Sequence, residues 1–175
     1  YPDEPTLDAG RCVVMPGFVD PHTHLIWAGD RASEFEMKMA GTPYLDILAA
    51  GGGILSTVKA TRTASLETLM AETRPRLMRM FRNGTTTAEA KTGYGLQTST
   101  ELRLLKALIA LNDESPIDLA FTFLGAHAIA PEYKDNPQGY TDEVTNTMLP
   151  MLKDWWETHA PRMPLPFVDV FCETK

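Results

Sequence analysis

Four short β-prone segments alternate with longer helical segments, and this alternation limits the folds open to the chain more than any other feature. The β-prone segments are residues 13–24, 85–91, 117–124 and 167–172. Strands that alternate with helices form β-α units, and such units build a parallel sheet. Two arrangements fit the pattern: an open doubly wound sheet, or part of a (β/α)8 barrel.

The residues at the strand ends favour the barrel. An open nucleotide-binding sheet needs a Gly-x-Gly-x-x-Gly motif after a strand, and no predicted strand here is followed by one. The polar residues of the strands lie mostly near the carboxyl ends, where barrel enzymes gather their catalytic side chains. These residues are Asp20, Glu89, Lys91, Asp169 and Glu173. The sequence therefore predicts an α/β fold in which about four β-α units, strands 1–4, form half of a (β/α)8 TIM-like barrel.

The segments between the strands carry apolar residues at helical spacing. Ser65 is the predicted N-cap of one helix, which we expect to be kinked at Pro75. Thr98 and Glu101 are predicted to form a capping box for the next helix. A third helix is predicted from about 142 to 159, with an interruption at a proline.

The composition is that of one ordinary globular domain. Of 175 residues, 43% are hydrophobic and 22% are charged. A net charge of −7 without a Lys/Arg cluster argues against nucleic acids and anionic membranes as partners. No apolar run approaches the roughly twenty residues of a membrane span, and the first residues lack the pattern of a signal peptide. We therefore expect a cytoplasmic protein that binds a small molecule.

The two cysteines are consistent with a reducing compartment. Cys12 and Cys172 both fall at predicted strands. Free cysteine is among the most buried residue types, and disulfides are rare in the cytosol. We expect two buried free thiols rather than a disulfide.

The first β-prone run ends on two histidines, His22 and His24. Side chains two apart in a strand project from the same face, so both imidazoles can converge on one ion. Imidazole nitrogen binds zinc, iron, nickel and copper, and a catalytic site needs typically three or more protein ligands with one position open for water. The pair is therefore interpreted as half of a metal site. A pair of hydrogen-bonded structural histidines is the alternative.

Further candidate residues follow the other strands. They are Arg31 in the loop beyond the histidine pair, Lys91 and Tyr94 after strand two, His127 after strand three and Glu173 after strand four. One end of the barrel would then hold metal ligands, a guanidinium that fits a carboxylate, a phenol and a further imidazole. This set predicts a metal-dependent hydrolase that acts on a small molecule bearing a carboxylate.

Each of these residues also has a structural explanation. Arg31 could pair with Asp30 or Glu34 at the surface, where ion pairs contribute little. Tyr94 could pack within its loop, and His127 could be a hydrogen-bonded structural histidine. These alternatives stay open at the level of the sequence.

Several segments resemble a known family. Residues 16–24, PGFVDPHTH, resemble the first-strand motif of the amidohydrolase superfamily, whose members are distorted (β/α)8 barrels with one or two metal ions. Further segments resemble the imidazolonepropionase family within that superfamily. They are 24–31 (HLIWAGDR), 50–54 (AGGGI), 91–96 (KTGYGL), 123–127 (FLGAH) and 169–173 (DVFCE).

The resemblance implies a role for each candidate residue. His22 and His24 would be two ligands of one divalent metal ion, zinc or iron. The substrate-binding residues would be Arg31, which would hold a propionate, with Tyr94, His127 and Tyr44. His127 would also be catalytic, stabilising the developing oxyanion. The implied reaction of histidine degradation opens the ring of the small-molecule substrate 4-imidazolone-5-propanoate to give N-formimidoyl-L-glutamate.

The resemblance also implies that residues 12–175 are the first half of the barrel. Residues 1–11 would be a linker or the remnant of a β-sandwich domain. The other metal ligands, a histidine and an aspartate, would lie beyond Lys175, so we expect a piece of a longer chain that is not catalytically competent by itself. A homodimer is one assembly that this interpretation allows.

Three alternatives are carried forward. The lysine that bridges metals in the superfamily belongs to a later strand, so we expect Lys91 to pair with Glu89 or Glu173 rather than to be carboxylated. The protein could be another amidohydrolase, such as a deaminase of a purine or pyrimidine or a different cyclic amidase. It could also be a non-catalytic barrel fragment or metal-binding module.

Overall fold

A four-stranded, all-parallel sheet forms the centre of the structure. The computed structural model describes residues 5–172, except for the side chains of Tyr44, Leu48 and Ala49. The strands are β1 (Phe18–Asp20), β2 (Thr85–Lys91), β3 (Asp118–Ala126) and β4 (Phe167–Val170). They lie in the order β1-β2-β3-β4, and each neighbouring pair is parallel. The predicted α/β fold with four parallel strands is confirmed. Within these residues the strand order does not reverse as it does in a doubly wound sheet, which agrees with part of a barrel.

Helices fill all three connections between the strands. Between β1 and β2 lie α1 (Ala32–Met39), α2 (Tyr44–Ala49), α3 (Ile54–Thr63) and α4 (Leu66–Arg82). The single helix α5 (Thr98–Glu114) joins β2 to β3. Between β3 and β4 lie a 3-10 turn (Pro131–Tyr133), α6 (Pro137–Glu143), a π-helical stretch (Val144–Met148) and α7 (Leu149–His159).

Helix α4 begins as its sequence predicts. The Ser65 hydroxyl accepts a hydrogen bond from the Thr68 N–H (3.1 Å), which is the N-cap arrangement. Pro75 lies inside the helix. Beyond the last turn, Gly84 has a φ of +92°, a left-handed conformation that favours glycine after a helix.

The start of α5 corrects the predicted capping box. Gln97 occupies the N-cap position and its side chain makes no capping bond. The Glu101 carboxylate accepts hydrogen bonds from backbone N–H groups of the preceding loop instead. Those N–H groups are buried and need an acceptor, so they take the carboxylate that a capping box would have used at the helix terminus.

The third helical connection starts earlier than predicted. Helical structure begins at Pro137 and reaches His159, and the π-helical stretch separates α6 from α7 where residues 142–159 were predicted to be one interrupted helix. Pro150 falls in the first turn of α7, directly after this stretch. A proline lacks the N–H for an intrahelical bond and crowds the preceding turn, and a wider turn before it relieves that crowding.

The first strand is shorter than predicted. Of residues 13–24, only Phe18–Asp20 pair with β2. Val13 and Val14 are 88% and 82% exposed. Among the described strands β1 pairs with β2 alone, and Pro16 has no N–H to donate to a ladder. The other strands agree with the prediction to within two residues at each end, and β2 agrees at both ends.

The cysteines are free but not buried. Cys12 and Cys172 are both exposed, which corrects the expectation of buried thiols. Cys12 precedes β1 and Cys172 follows β4, so neither lies in the part of the sheet that the helices cover. The prediction of thiols rather than a disulfide is confirmed for the described residues.

The apolar core lies between the sheet and the helices. On α5, Leu104, Leu105 and Leu108 are completely buried. On α7, the ring of Trp156 packs edge-on against Phe121 of β3, with 5.6 Å between ring centroids. The core therefore fixes the outer helices against the strands whose ends carry the candidate site.

We expect the substitution Gly17→Ala to destabilise the protein through the β1–β2 contact. A Cβ atom at Gly17 would lie 2.7 Å from Thr86 Cβ and still closer to Oγ1 and Cγ2 of that threonine. Such overpacking lowers the free energy of unfolding by about 1–3 kcal/mol, measured by denaturant titration. The double variant Gly17→Ala/Thr86→Gly should recover part of the loss. Equal stability of the single variant and the unchanged protein would contradict this packing.

Candidate metal and substrate site

Four aromatic side chains meet beyond the carboxyl ends of β1, β2 and β3. The His24 ring stacks on the ring of His127, with 4.7 Å between centroids and 11° between planes. The ring centroids of His22 and Tyr94 lie 5.5 Å and 5.6 Å from that of His24. The Tyr94 centroid is 5.2 Å from that of His127. Residues from three strand ends, up to 105 positions apart in the chain, therefore form one cluster.

Strand β2 holds residues 22–24, here called the histidine segment, in place. β1 ends at Asp20, so the two histidines follow the strand rather than lie in it. The Lys91 N–H donates to the Thr23 carbonyl (3.0 Å), and the Thr23 hydroxyl donates to the Glu89 carbonyl. Thr23, which lies between the two histidines, thus extends the hydrogen bonding to β2 beyond the end of β1.

Helix α4 fixes the chain just beyond His24. Arg76 donates from Nη1 to the carbonyls of Leu25 (3.0 Å) and Trp27 (2.9 Å). Its guanidinium also lies 3.6 Å above the centroid of the Trp27 ring, a cation–π contact. The histidine segment is therefore anchored on both sides.

The His24 ring has the protonation state that a metal ligand needs. Burial lowers the pKa of His24 to about 4, and the nearby His127, His22 and Lys91 add to this effect while Glu89 opposes it. The ring is neutral near pH 7, which is the form that binds metals. Its Nδ1 atom is buried and has no hydrogen-bond partner among the described residues.

The ligand set in the described part of the chain is incomplete. Between residues 5 and 172 no group of three or more His, Cys, Asp or Glu side chains is arranged to hold a metal ion. The neutral imidazole of His24, whose Nδ1 has no hydrogen-bond partner among the described residues, and the adjacent His22 fit two positions of such a site. A complete site needs further ligands from elsewhere.

A backbone carbonyl orients the His127 ring. Nδ1 of His127 lies 2.9 Å from the Gly93 carbonyl oxygen, which can only accept, so Nδ1 carries the hydrogen in this contact. In the neutral ring the other nitrogen then has a lone pair. Burial lowers the pKa of His127, with the Gly93 bond and Asp169 opposing and with His22 and Lys91 adding to the shift.

A buried carboxylate, that of Glu34, holds the Arg31 guanidinium. The guanidinium's positive charge acts on the pKa of Tyr94, which burial raises and Arg31 lowers. The guanidinium donates from Nε to Glu34 Oε2 (2.9 Å), and Glu34 is 6% exposed. The other Glu34 oxygen accepts the Gly53 N–H (2.9 Å). The predicted pairing of Arg31 with Glu34 exists, and Glu34 links Arg31 to Gly53 in the segment 50–54.

Lys91 belongs to a network between the strands. Its Nζ lies 2.8 Å from Glu89 Oε1 and 2.8 Å from Asp169 Oδ2. The Thr122 hydroxyl donates to the same Glu89 oxygen (2.6 Å). The predicted pair with Glu89 is confirmed, and Asp169 is the second partner. The alternative partner, Glu173, lies outside the described residues.

Three residues that support the site were not identified as such from the sequence. Glu34 holds Arg31, Glu101 holds the loop that carries Tyr94, and Arg62 donates to that loop from Nε at the Gly95 carbonyl (2.6 Å). The sequence offered Glu34 only as a surface partner of Arg31, and Glu101 only as a glutamate in the first turn of a helix after a glycine-rich loop; it gave no signal for Arg62. Tyr44 begins α2, and its side chain lies outside the described residues.

The helices between residues 5 and 172 include none with the length and apolarity to cross a membrane.

Comparisons with known proteins identify close relatives over nearly the whole chain. No protein-family model matches it. The chain is 51% identical over 168 residues to an imidazolonepropionase from Herpetosiphon aurantiacus, covering 96% of this chain and 39% of the relative. An imidazolonepropionase from Chloroflexus aggregans is 49% identical over 170 residues, with 95% and 40% covered. One from Alkaliphilus metalliredigens is 50% identical over 167 residues, with 95% and 38% covered. The chain spans about two-fifths of the length of these curated relatives, and over nearly all of its own length it is similar to imidazolonepropionases.

Proposed function

We propose that this chain supplies part of the active site of an imidazolonepropionase, a hydrolase of cyclic amide bonds. The substrate would be 4-imidazolone-5-propanoate and the product N-formimidoyl-L-glutamate, in histidine degradation. The observation that carries the proposal is the cluster of His22, His24, Tyr94 and His127 at one end of a parallel sheet. The relatives at about 50% identity support the same activity.

The fold of the complete protein would be an amidohydrolase (β/α)8 barrel. We assign residues 12–175 to its first half and residues 1–11 to a linker or a remnant of a β-sandwich. The outer strands support this assignment, because Val19 of β1 and Phe167 and Val168 of β4 are 57–67% exposed. Apolar strands of this kind are normally covered, and the other strands of a closed barrel would cover them.

His22 and His24 would hold one divalent ion, zinc or iron, together with ligands from outside these residues. When bound, such an ion supplies an activated water molecule and polarises the carbonyl under attack. The neutral state of the His24 ring and its unpartnered Nδ1 support this assignment.

Arg31, Tyr94 and His127 would bind the substrate, with Tyr44 as a further contact. The planar guanidinium of Arg31 suits the propionate, and the Tyr94 hydroxyl and the imidazole of His127 suit the polar atoms of the ring. A donor role of His127 toward an oxyanion requires hydrogen on the ring nitrogen that does not face Gly93. Because Nδ1 already carries one hydrogen in that contact, the ring would have to be doubly protonated for this role, against the burial that lowers its pKa.

A cytoplasmic location, a small-molecule substrate and the absence of nucleic-acid and membrane partners complete the proposal. The net charge of −7 supports the last of these. A homodimer remains the assembly that the sequence interpretation allows.

In a full-length imidazolonepropionase carrying this segment, we expect Arg31→Met to raise KM for 4-imidazolone-5-propanoate by about 10- to 100-fold. This corresponds to the loss of a charge-assisted hydrogen-bonded pair, about 1.5–3 kcal/mol. Steady-state kinetics would measure it, and a 4-imidazolone without the propionate should be turned over equally by both forms.

Arg74→Met is the matched control, because Arg74 forms an exposed ion pair with Glu114 on the outer helices. Unchanged kinetics for Arg31→Met would favour a different amidohydrolase, whose substrate has no carboxylate at this position. No hydrolysis by the unchanged full-length protein would instead favour a non-catalytic barrel.

We expect the 175-residue chain by itself to bind zinc loosely and to lose it on dialysis. Two imidazoles provide fewer ligands than the typical three or more of a catalytic site. Circular dichroism would first establish that the chain is folded, and elemental analysis after dialysis would measure bound metal. Stoichiometric zinc that survives dialysis and is lost in His22→Asn/His24→Asn would contradict the need for ligands from outside these residues.

A further inference from the structure

Glu101 is a buried carboxylate whose partners all lie in one loop. It is 0% exposed. Its Oε2 accepts the Gly93 N–H (2.9 Å), and its Oε1 accepts the N–H groups of Gly95 (2.8 Å) and Leu96 (2.7 Å). The Thr92 side chain is a further hydrogen-bonding partner. No ion pair involves Glu101 among the described residues.

Burying a carboxylate without a cation is unfavourable unless several donors replace its water. Burial raises the pKa of Glu101, and the bonds from Thr92 and the three backbone N–H groups oppose that shift. The first turn of α5 also presents the positive end of the helix dipole. An apolar side chain at this position would leave the buried N–H groups of Gly93, Gly95 and Leu96 without an acceptor, so the carboxylate is explained by the loop that it holds.

The loop it holds carries a candidate substrate residue and touches another. Tyr94 lies between two of the residues that Glu101 binds, Gly93 and Gly95. The N–H of Gly93 donates to Glu101, while its carbonyl accepts from Nδ1 of His127 (2.9 Å). A single residue thus joins the carboxylate to the imidazole.

Gly93 is in turn tightly confined. Its φ is +110°, and a Cβ there would lie 2.8 Å from the Leu124 carbonyl oxygen and 2.9 Å from Nδ1 of His127. Arg62 donates to the carbonyls of Gly95 (2.6 Å) and Leu96 (3.3 Å). Glu101 therefore binds N–H groups of the loop, and Arg62 binds two of its carbonyls.

We infer that Glu101 is a positioning residue that fixes the loop of Thr92–Leu96 so that Tyr94 and His127 meet the substrate in one arrangement. It does not touch the substrate itself. The inference rests on the proposed function for its effect on catalysis, and on the contacts of Gly93 for its effect on His127.

The test is Glu101→Gln in a full-length imidazolonepropionase carrying this segment. A carboxamide has one acceptor oxygen, which can serve Gly95 and Leu96, but its NH2 group then faces the Gly93 N–H, donor against donor. We expect kcat to fall by about 10- to 100-fold with bound metal unchanged, since a small displacement of positioning groups costs this much. Steady-state kinetics and metal analysis measure both.

A second readout follows His127 without reference to activity. Nitrogen-15 NMR of the neutral ring should show the Nδ1–H tautomer in the unchanged protein, because Nδ1 donates to Gly93. In Glu101→Gln the loosened carbonyl should shift the ring toward the Nε2–H tautomer. A residue that only stabilised the fold would not move this ratio.

Glu114→Gln is the matched control, since Glu114 lies at the other end of α5 and pairs at the surface with Arg74. It should leave kcat and the tautomer ratio unchanged. If Glu101→Gln does not fold, Glu101→Asp keeps the charge but is too short to reach both Gly93 and Gly95, and the same effects are expected.

A folded variant at Glu101 with unchanged kcat and an unchanged tautomer ratio would overturn the inference. If the unchanged protein does not hydrolyse 4-imidazolone-5-propanoate, the proposed function fails, and the tautomer ratio alone then decides whether Glu101 positions His127.

Discussion

The hydrogen-bond ladders on the two sides of β2 determine where the candidate side chains lie. β2 pairs with β1 and with β3, and the hydrogen bonding continues past the end of β1 on one side and past the end of β2 on the other. On one side the Lys91 N–H reaches the Thr23 carbonyl, and on the other the Thr92 N–H reaches the Thr122 carbonyl (3.0 Å). The histidine segment, the loop after β2 and the end of β3 are therefore in one register. Main-chain hydrogen bonds thus place these three segments side by side.

The polar network of Lys91, Glu89 and Asp169 affects both the stability of the fold and the protonation of His24. Lys91 is 4% exposed and joins Glu89 of its own strand to Asp169 of β4, across β3. Removing Lys91 would be expensive, since it would leave the Glu89 carboxylate, 16% exposed, without its cation, and breaking a buried ion pair in this way costs about 3–5 kcal/mol. The same ammonium group lowers the pKa of His24. The charge that links the strands thus also helps to keep the imidazole neutral.

The sequence predicted what local patterns determine and missed what distant contacts determine. Residues 85–91 were predicted as a strand and are one, because a helix and a glycine turn delimit the run on one side and a glycine loop does so on the other. Val13 has high β propensity, but propensity does not create a neighbouring strand, and the residue stays outside the sheet. The sequence predicted that Glu101 would cap the start of α5, but its carboxylate oxygens accept hydrogen bonds from the loop before that helix. The bond of Arg62 to the carbonyl of Gly95, 33 positions away, leaves no periodic trace in the sequence.

Both outer strands of the sheet have consequences for handling the protein. Within residues 5–172, β1 and β4 each pair on one side only, and Phe18, Phe167 and Val170 are 55–67% exposed along them. Unpaired main-chain groups beside apolar side chains can recruit an identical strand from another molecule. Produced by itself, the chain is expected to self-associate as its concentration rises, so refolding at low protein concentration would be the practical route to monomeric material.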